Sequence, residues 1–316
     1  MKVFVGVVAM SAVLAGMVFV LGDAGAKPGG AKIYPLQGDQ VYPEGIALQA
    51  STDNFYVGST TDGTIFRGNV KKRNTEVFLP PGGDGRTTVI GMKVDEEGRL
   101  FVAGGDTGKL FVYDTNTREL VNAFDNGEEM TFVNDVTLAP DGSAYFTDSL
   151  QPQLYRLSPD GAGSYDFEVF LNFEGTEFAY EPGFNANGIA ATGDGRYLIV
   201  VQSNTGELFR IDTVTKDVRE IDLGGAALTN GDGLLLEGRT LYVVRNQQEL
   251  VVRVALSEDY LTGAADEGFT DRSFQYPTTI ARSGKRLLTV NSQFDARNTG
   301  TPPELPFNVS SVKIPK

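Results

Sequence analysis

A turn, an apolar strand, an Asp-Gly or Glu-Gly pair and a second apolar strand recur through this sequence about every 45 residues. The first positions of the repeat are Glu44, Ile90, Asn134, Asn187, Asp232 and Thr278, with successive separations of 46, 44, 53, 45 and 46 residues. Representative units run Asn134-Asp-Val-Thr-Leu to Ala144-Tyr-Phe-Thr-Asp, and Asn187-Gly-Ile-Ala-Ala to Tyr197-Leu-Ile-Val-Val. Short runs of Val, Ile, Leu, Tyr and Phe bounded by Gly, Asp and Asn read as strands. No segment of ten or more residues sustains a 3.6-residue apolar period. A period near 45 with about four short strands per unit is the signature of a β-propeller. A large β-sandwich, the rival all-β fold, does not repeat a motif at fixed period. Six units predict an all-β, six-bladed propeller of four-stranded antiparallel blades. The strand-like Ala31–Leu36 and Phe307–Ile314 are expected to pair and complete one blade, removing an open edge. Asn298–Pro306 then reads as a surface connection.

In such a ring the first strand of each unit lies beside the central channel, so the six starting residues converge on one axis. The second strand runs back antiparallel and returns its end to the same mouth. Asp148-Ser149, Gln202-Ser203, Arg245-Asn246 and Asn291-Ser292 belong to that second set. Both sets are polar above apolar strands, as expected of a wet pocket over a packed core. Glu44, Asn134, Asn187 and Asp232 bring carboxylate or amide oxygen to the axis. Oxygen-only ligation of mixed charge suits Ca²⁺, and Mg²⁺ less well. Taken singly, each Asn or Asp is equally a turn-forming strand start; four at one register predict a metal site.

Composition narrows the chemistry further. The chain contains no His and no Cys. That removes Ser-His-Asp triads, His-ligated zinc and thiol nucleophiles, and no disulfide framework is possible. Catalysis must rest on Asp, Glu, Lys, Tyr, Ser, Thr or a hard metal held by oxygen. A net charge of −14, from 41 acidic and 27 basic residues, argues against nucleic acid as a partner, because phosphate binding needs clustered cations. The run Lys71-Lys72-Arg73 is too short to alter this. The acidic field favours cations and uncharged or cationic small molecules.

The sequence begins with Lys2, an apolar run from Val3 to Leu21, and Ala24-Gly25-Ala26. This order describes a secretory signal peptide over residues 1–26, with an uncleaved anchor as the alternative reading. Residues 27–316 are then expected to form the single propeller domain, secreted and without a further membrane span.

The segments Pro43-Glu44-Gly45, Asn134-Asp135-Val136, Asn187-Gly188-Ile189 and Asp232-Gly233-Leu234 resemble those of the senescence-marker-protein/gluconolactonase/luciferin-regenerating-enzyme family. The resemblance spans most of residues 40–295 and includes the six-blade count. It implies a divalent metal on the channel axis, with Glu44, Asn187 and Asp232 as ligands and Asn134 as ligand or substrate contact. It also implies hydrolysis of lactones or related esters, the metal polarising a carbonyl oxygen. Asp232 or Asp135 would then serve as base or nucleophile; for both, ligation or a supporting role is the alternative. The His residues of the related paraoxonases are missing, and no Arg or Glu matches the gluconolactonase contacts to sugar hydroxyls. Asp148 and Arg245 at second-strand ends, and Phe132 beside the ring, are candidate substrate contacts. For Asp148 a turn, and for Phe132 core packing, are the competing readings. A non-catalytic, metal-stabilised propeller that captures a ligand or protein is the alternative function.

Overall fold

A computed structural model describes residues 30–316; the expected signal peptide lies outside them. Among the described residues, no helix is long and apolar enough to cross a membrane.

The strands form six antiparallel sheets of four. Blade 1 comprises β2 (Pro43–Gln49), β3 (Asn54–Ser59), β4 (Ile65–Asn69) and β5 (Thr75–Leu79), after the short β1 (Lys32–Pro35). Blade 2 holds β6 (Met92–Val94), β7 (Arg99–Ala103), β8 (Lys109–Asp114) and β9 (Leu120–Asp125). Blade 3 holds β10 (Val133–Leu138), β11 (Ala144–Asp148), β12 (Gln153–Pro159) and β13 (Tyr165–Asn172). Blade 4 holds β14 (Ala186–Ala191), β15 (Tyr197–Gln202), β16 (Leu208–Asp212) and β17 (Val218–Glu220). Blade 5 holds β18 (Gly231–Glu237), β19 (Thr240–Arg245), β20 (Leu250–Leu256) and β21 (Gly263–Ala265). Blade 6 is built from β22 (Pro277–Ser283), β23 (Arg286–Asn291) and β24 (Asn308–Lys313), with β1 as its outer strand. Ile33 faces Ser310 and Tyr34 faces Val309 across that last pair, so the two ends of the described chain meet in one blade. First strands touch from blade to blade, and β22 returns to β2. The fold is a closed six-bladed propeller.

The apolar strands are explained by burial on both faces. Side chains alternate across a strand, and here each face meets a neighbouring blade. Leu100 and Val102 pack toward blade 1, whereas Phe101 and Ala103 pack toward blade 3. Leu198 and Val200 likewise turn to blade 3 while Ile199 and Val201 turn to blade 5. Six apolar clusters result, one at each interblade seam.

Every first strand begins with one extra residue. Pro43 pairs with Ser59 and Ile46 with Val57, so three steps on β2 span two on β3. The same shift occurs at Val133/Val136, Ala186/Ile189, Gly231/Leu234 and Pro277/Ile280. In blade 2, Ile90 N donates to Ala103 O and Ala103 N to Gly91 O, both at 2.9 Å, which is the same two-against-one arrangement. Such bulges re-aim side chains at barrel rims and sites. Here they fall on the six repeat-start residues, and all but Thr278 line the channel mouth. The bulge's second residue is Gly45, Gly91, Gly188 and Gly233 in four blades. At Gly188 an added Cβ would lie 2.1 Å from Asp232 O, so only glycine lets β18 approach.

Between β23 and β24 lies one short helix, α1 (Phe294–Thr299), ended by Gly300 in the left-handed conformation. Asn298, expected to begin a surface connection, instead belongs to this helix and faces the mouth with Phe294 and Arg297.

Candidate functional site

The mouth of the channel holds a cavity of about 500 Å³, and Glu44, Asn134, Asn187 and Asp232 all line it. The structure brings the four repeat-start residues together. Each is buried, with relative exposure between 4% and 7%. Ile90 also lines the cavity, but Thr278 is wholly buried and donates through Oγ1 to Glu44 O at 2.9 Å.

Neighbouring second strands hold these side chains. Asn246, just past β19, donates through Nδ2 to Asp232 Oδ2 at 2.9 Å. Asn134 Nδ2 donates to Ser149 Oγ at 2.8 Å, and Ser149 Oγ donates onward to Ala186 O at 2.7 Å. Its anchored nitrogen leaves the Asn134 carbonyl oxygen as the free end of the side chain. Thr279 Oγ1 donates to Glu44 Oε1 across a long 3.4 Å. Glu44 Oε2 and Asn187 Oδ1 are buried and accept no hydrogen bond.

The electrostatics are those of crowded, desolvated acids. Burial raises the Glu44 pKa well above its ordinary range, and the charges of Asp232 and Asp135 raise it further. Burial likewise lifts Asp232, with Asp135 adding to it and the Asn246 and Asn187 amides opposing; the result is a pKa of about 7. Asp135 is raised by burial, against the Lys93 charge and hydrogen bonds from the Val136 and Ile189 amides. Buried carboxylates lacking partners are costly, and the orphaned Glu44 and Asn187 oxygens beside the Asp232 carboxylate make a cradle suited to a hard cation. The residues present fit such an ion. Among the described residues, no three His, Cys, Asp or Glu side chains gather into a metal-ligating group; half of the quartet is amide.

Other expected site residues are placed differently. Asp135 occupies the bulge position filled by glycine in four blades and does not line the cavity. Its Oδ1 accepts from Val136 N at 2.8 Å, and its Oδ2 from Ile189 N at 3.4 Å. Asp148 is wholly buried and also misses the cavity. Its Oδ1 accepts from the amides of Phe132, Leu150 and Gln151, each at 2.9 Å, and its Oδ2 accepts from the Thr131 and Tyr155 hydroxyls. That carboxylate fixes a turn and, unlike the candidate substrate contact expected from the sequence, faces away from the cavity. Arg245, the other second-strand-end candidate, donates its Nε to Thr229 O at 3.0 Å and is not part of the lining. Phe132 does line the cavity, packed edge to face against the half-exposed Phe184 with ring centres 4.9 Å apart.

Sequence reasoning assigned no role to Lys93, on β6. Its Nζ is buried without a hydrogen-bond partner, 3.9 Å from Asp135 Oδ1. The available signal was a lone charge in the otherwise apolar start Ile90-Gly-Met-Lys-Val. Arg297 was also passed over; it borders the cavity and donates to Thr60 Oγ1 at 3.1 Å.

No protein-family model matches the chain, and neither does any curated protein. Solved structures do. The major Malassezia sympodialis allergen Mala s 1 superposes with a TM-score of 0.67 at 15% identity, over 89% of this chain and 95% of that one. A luciferin-regenerating enzyme superposes with a TM-score of 0.61 at 12% identity, over 90% and 96%. Virginiamycin B lyase from Staphylococcus aureus gives 0.59 at 10% identity, over 90% and 99%. The likeness is one of fold. At such identities the shared property is the propeller ring, and function must be argued from the site.

Proposed function

We propose that the chain is a divalent-metal-dependent hydrolase, with Ca²⁺ as the ion, acting on lactones or related esters. The observation that carries this reading is the pair of buried, unpartnered oxygens, Glu44 Oε2 and Asn187 Oδ1, on the cavity wall shared with Asp232 and Asn134. Glu44, Asn134, Asn187 and Asp232 would hold the ion. When bound it supplies Lewis acidity toward a carbonyl oxygen. The chain's own residues do the rest. Asn246 orients the Asp232 carboxylate through one oxygen. Asp232, a carboxylate on the cavity wall, would stand beside a water at the ion and act on it as general base. Phe132 and Phe184 offer an apolar wall beside the ring, against which the uncharged part of an ester can lie and exclude water. Asp135 falls outside the cavity and supports the ring's charge rather than touching substrate.

One observation favours a second reading, a metal-stabilised binding propeller without turnover. Beyond Glu44 and Asp232, the cavity's remaining carboxylate is the exposed Asp106, while Asn204, Asn230, Asn246 and Gln247 give it a neutral amide wall. A panel of lactones and aryl esters separates the two. Turnover abolished by chelation, restored by Ca²⁺ and lost in Asp232→Asn supports the hydrolase; ion binding with no turnover supports the binding protein. Export is part of the proposal and rests on residues 1–26 alone. It is tested by locating the protein in medium and cell fractions.

A further inference from the structure

We propose that Lys93 sets the net charge of the channel so that the oxygen ring accepts a divalent ion in preference to a trivalent one. This rests on the metal reading above. Lys93 stands on the innermost strand of blade 2, after the buried Met92. Its stem is partly accessible, but its nitrogen is buried and finds no acceptor. Asp135 Oδ1, the carboxylate oxygen recorded opposite it, lies at 3.9 Å, beyond hydrogen-bonding range. A lone buried ammonium is expensive to keep.

Lys93 and Asp135 stand on the innermost strands of neighbouring blades, and Asp135 directly follows the ring residue Asn134, so the ammonium lies beside the ring itself. With a cation bound and all three acids ionised, Glu44, Asp135 and Asp232 carry three negative charges, of which Lys93 leaves two uncompensated. A divalent cation on the ring brings that cluster to neutrality. Without Lys93 the same cluster matches a trivalent ion, and without Asp135 a monovalent one. In a desolvated channel a unit of unbalanced charge weighs heavily, because little water screens it. The amide ligands Asn134 and Asn187 are neutral and leave this balance untouched.

The test compares Ca²⁺ with Tb³⁺ on the full chain after chelator treatment, by calorimetry and sensitised Tb³⁺ luminescence. Lys93→Met is expected to raise the Tb³⁺-over-Ca²⁺ affinity ratio by about tenfold or more, and Asp135→Asn to lower it by a similar factor. The double variant Lys93→Met/Asp135→Asn restores two uncompensated charges and is expected to return to within about threefold of the unaltered protein. Circular dichroism checks folding; should Lys93→Met fail to fold, Asp135→Asn and the double variant decide the matter. Ca²⁺ binding retained with a ratio that does not follow these charges overturns the role of Lys93 and leaves the metal site standing. Neither ion binding the unaltered protein overturns the metal reading itself, and this inference with it.

Discussion

Asn246 Nδ2 donates to Asp232 Oδ2 at 2.9 Å, tying the end of the second strand of blade 5 to the start of its first. The bond favours the ionised carboxylate and fixes one of its oxygens. Partners of this kind typically set metal affinity by tenfold to a hundredfold. Asn246→Ala should therefore weaken Ca²⁺ binding by roughly tenfold or more, with little change in melting temperature. Calorimetric titration beside a thermal melt checks both; unchanged affinity would make the bond structural only.

The acids predict an unusual pH profile for the metal-free protein. Asp232 has a folded pKa of about 7 against an ordinary 3.8. Between those values the folded chain keeps a proton that the unfolded chain has lost, so this group's stabilising contribution is complete below about pH 4 and disappears as pH rises through 7. Its loss is of the order of a few kcal/mol. Glu44 and Asp135 are shifted in the same direction. Urea unfolding without metal should show a larger fall in stability between about pH 5 and pH 8 for the unaltered protein than for Asp232→Asn. Parallel profiles would contradict the assignment.

Asp148 should matter to stability and not to substrate. It is wholly buried and accepts from three backbone amides and two hydroxyls. Asp148→Ala strands those donors and is expected to cost about 3 kcal/mol or more in chemical unfolding. Any activity of the folded fraction should keep its KM. A raised KM with unaltered stability would return Asp148 to the substrate site.

Gly188 tests the seam between blades 4 and 5. Its missing Cβ would stand 2.1 Å from Asp232 O. Gly188→Ala must push β18 away from β14, at a cost of about 1–3 kcal/mol or more, and it displaces the backbone that carries Asp232. Stability and Ca²⁺ affinity should fall together. If neither moves, the close approach does not position the ring.

The repeat in the sequence carried the blade count because apolar strands and turn residues recur at fixed spacing, and each strand is buried on both faces. Leu198 through Val201 show this directly, turning alternately to blades 3 and 5. The convergence of Glu44, Asn134, Asn187 and Asp232 followed from register alone, since equivalent positions of a closed ring share one axis. Asp148 and Arg245 occupy equivalent last positions of their second strands, whereas Asn246 stands one residue later, the position from which Thr60 and Ser203 also line the cavity. One step of register separates the two sets, which residue type does not encode. The bulge was hidden for a related reason: an extra residue at Ile90-Gly91 or Asn187-Gly188 changes which side chain points inward without disturbing the hydrophobic pattern. Lys93 was visible as an anomaly in an apolar strand, but its place beside Asp135 depends on the first strand of blade 2 packing beside that of blade 3.

The most direct measurement is calorimetric titration of Ca²⁺ into chelator-treated protein, beside Glu44→Gln and Asp232→Asn. The ring predicts one ion per chain, with affinity reduced at least a hundredfold, on the order of 3 kcal/mol, in either variant. Absence of binding by the unaltered protein, or binding that survives both substitutions, would contradict a metal site built from these four residues.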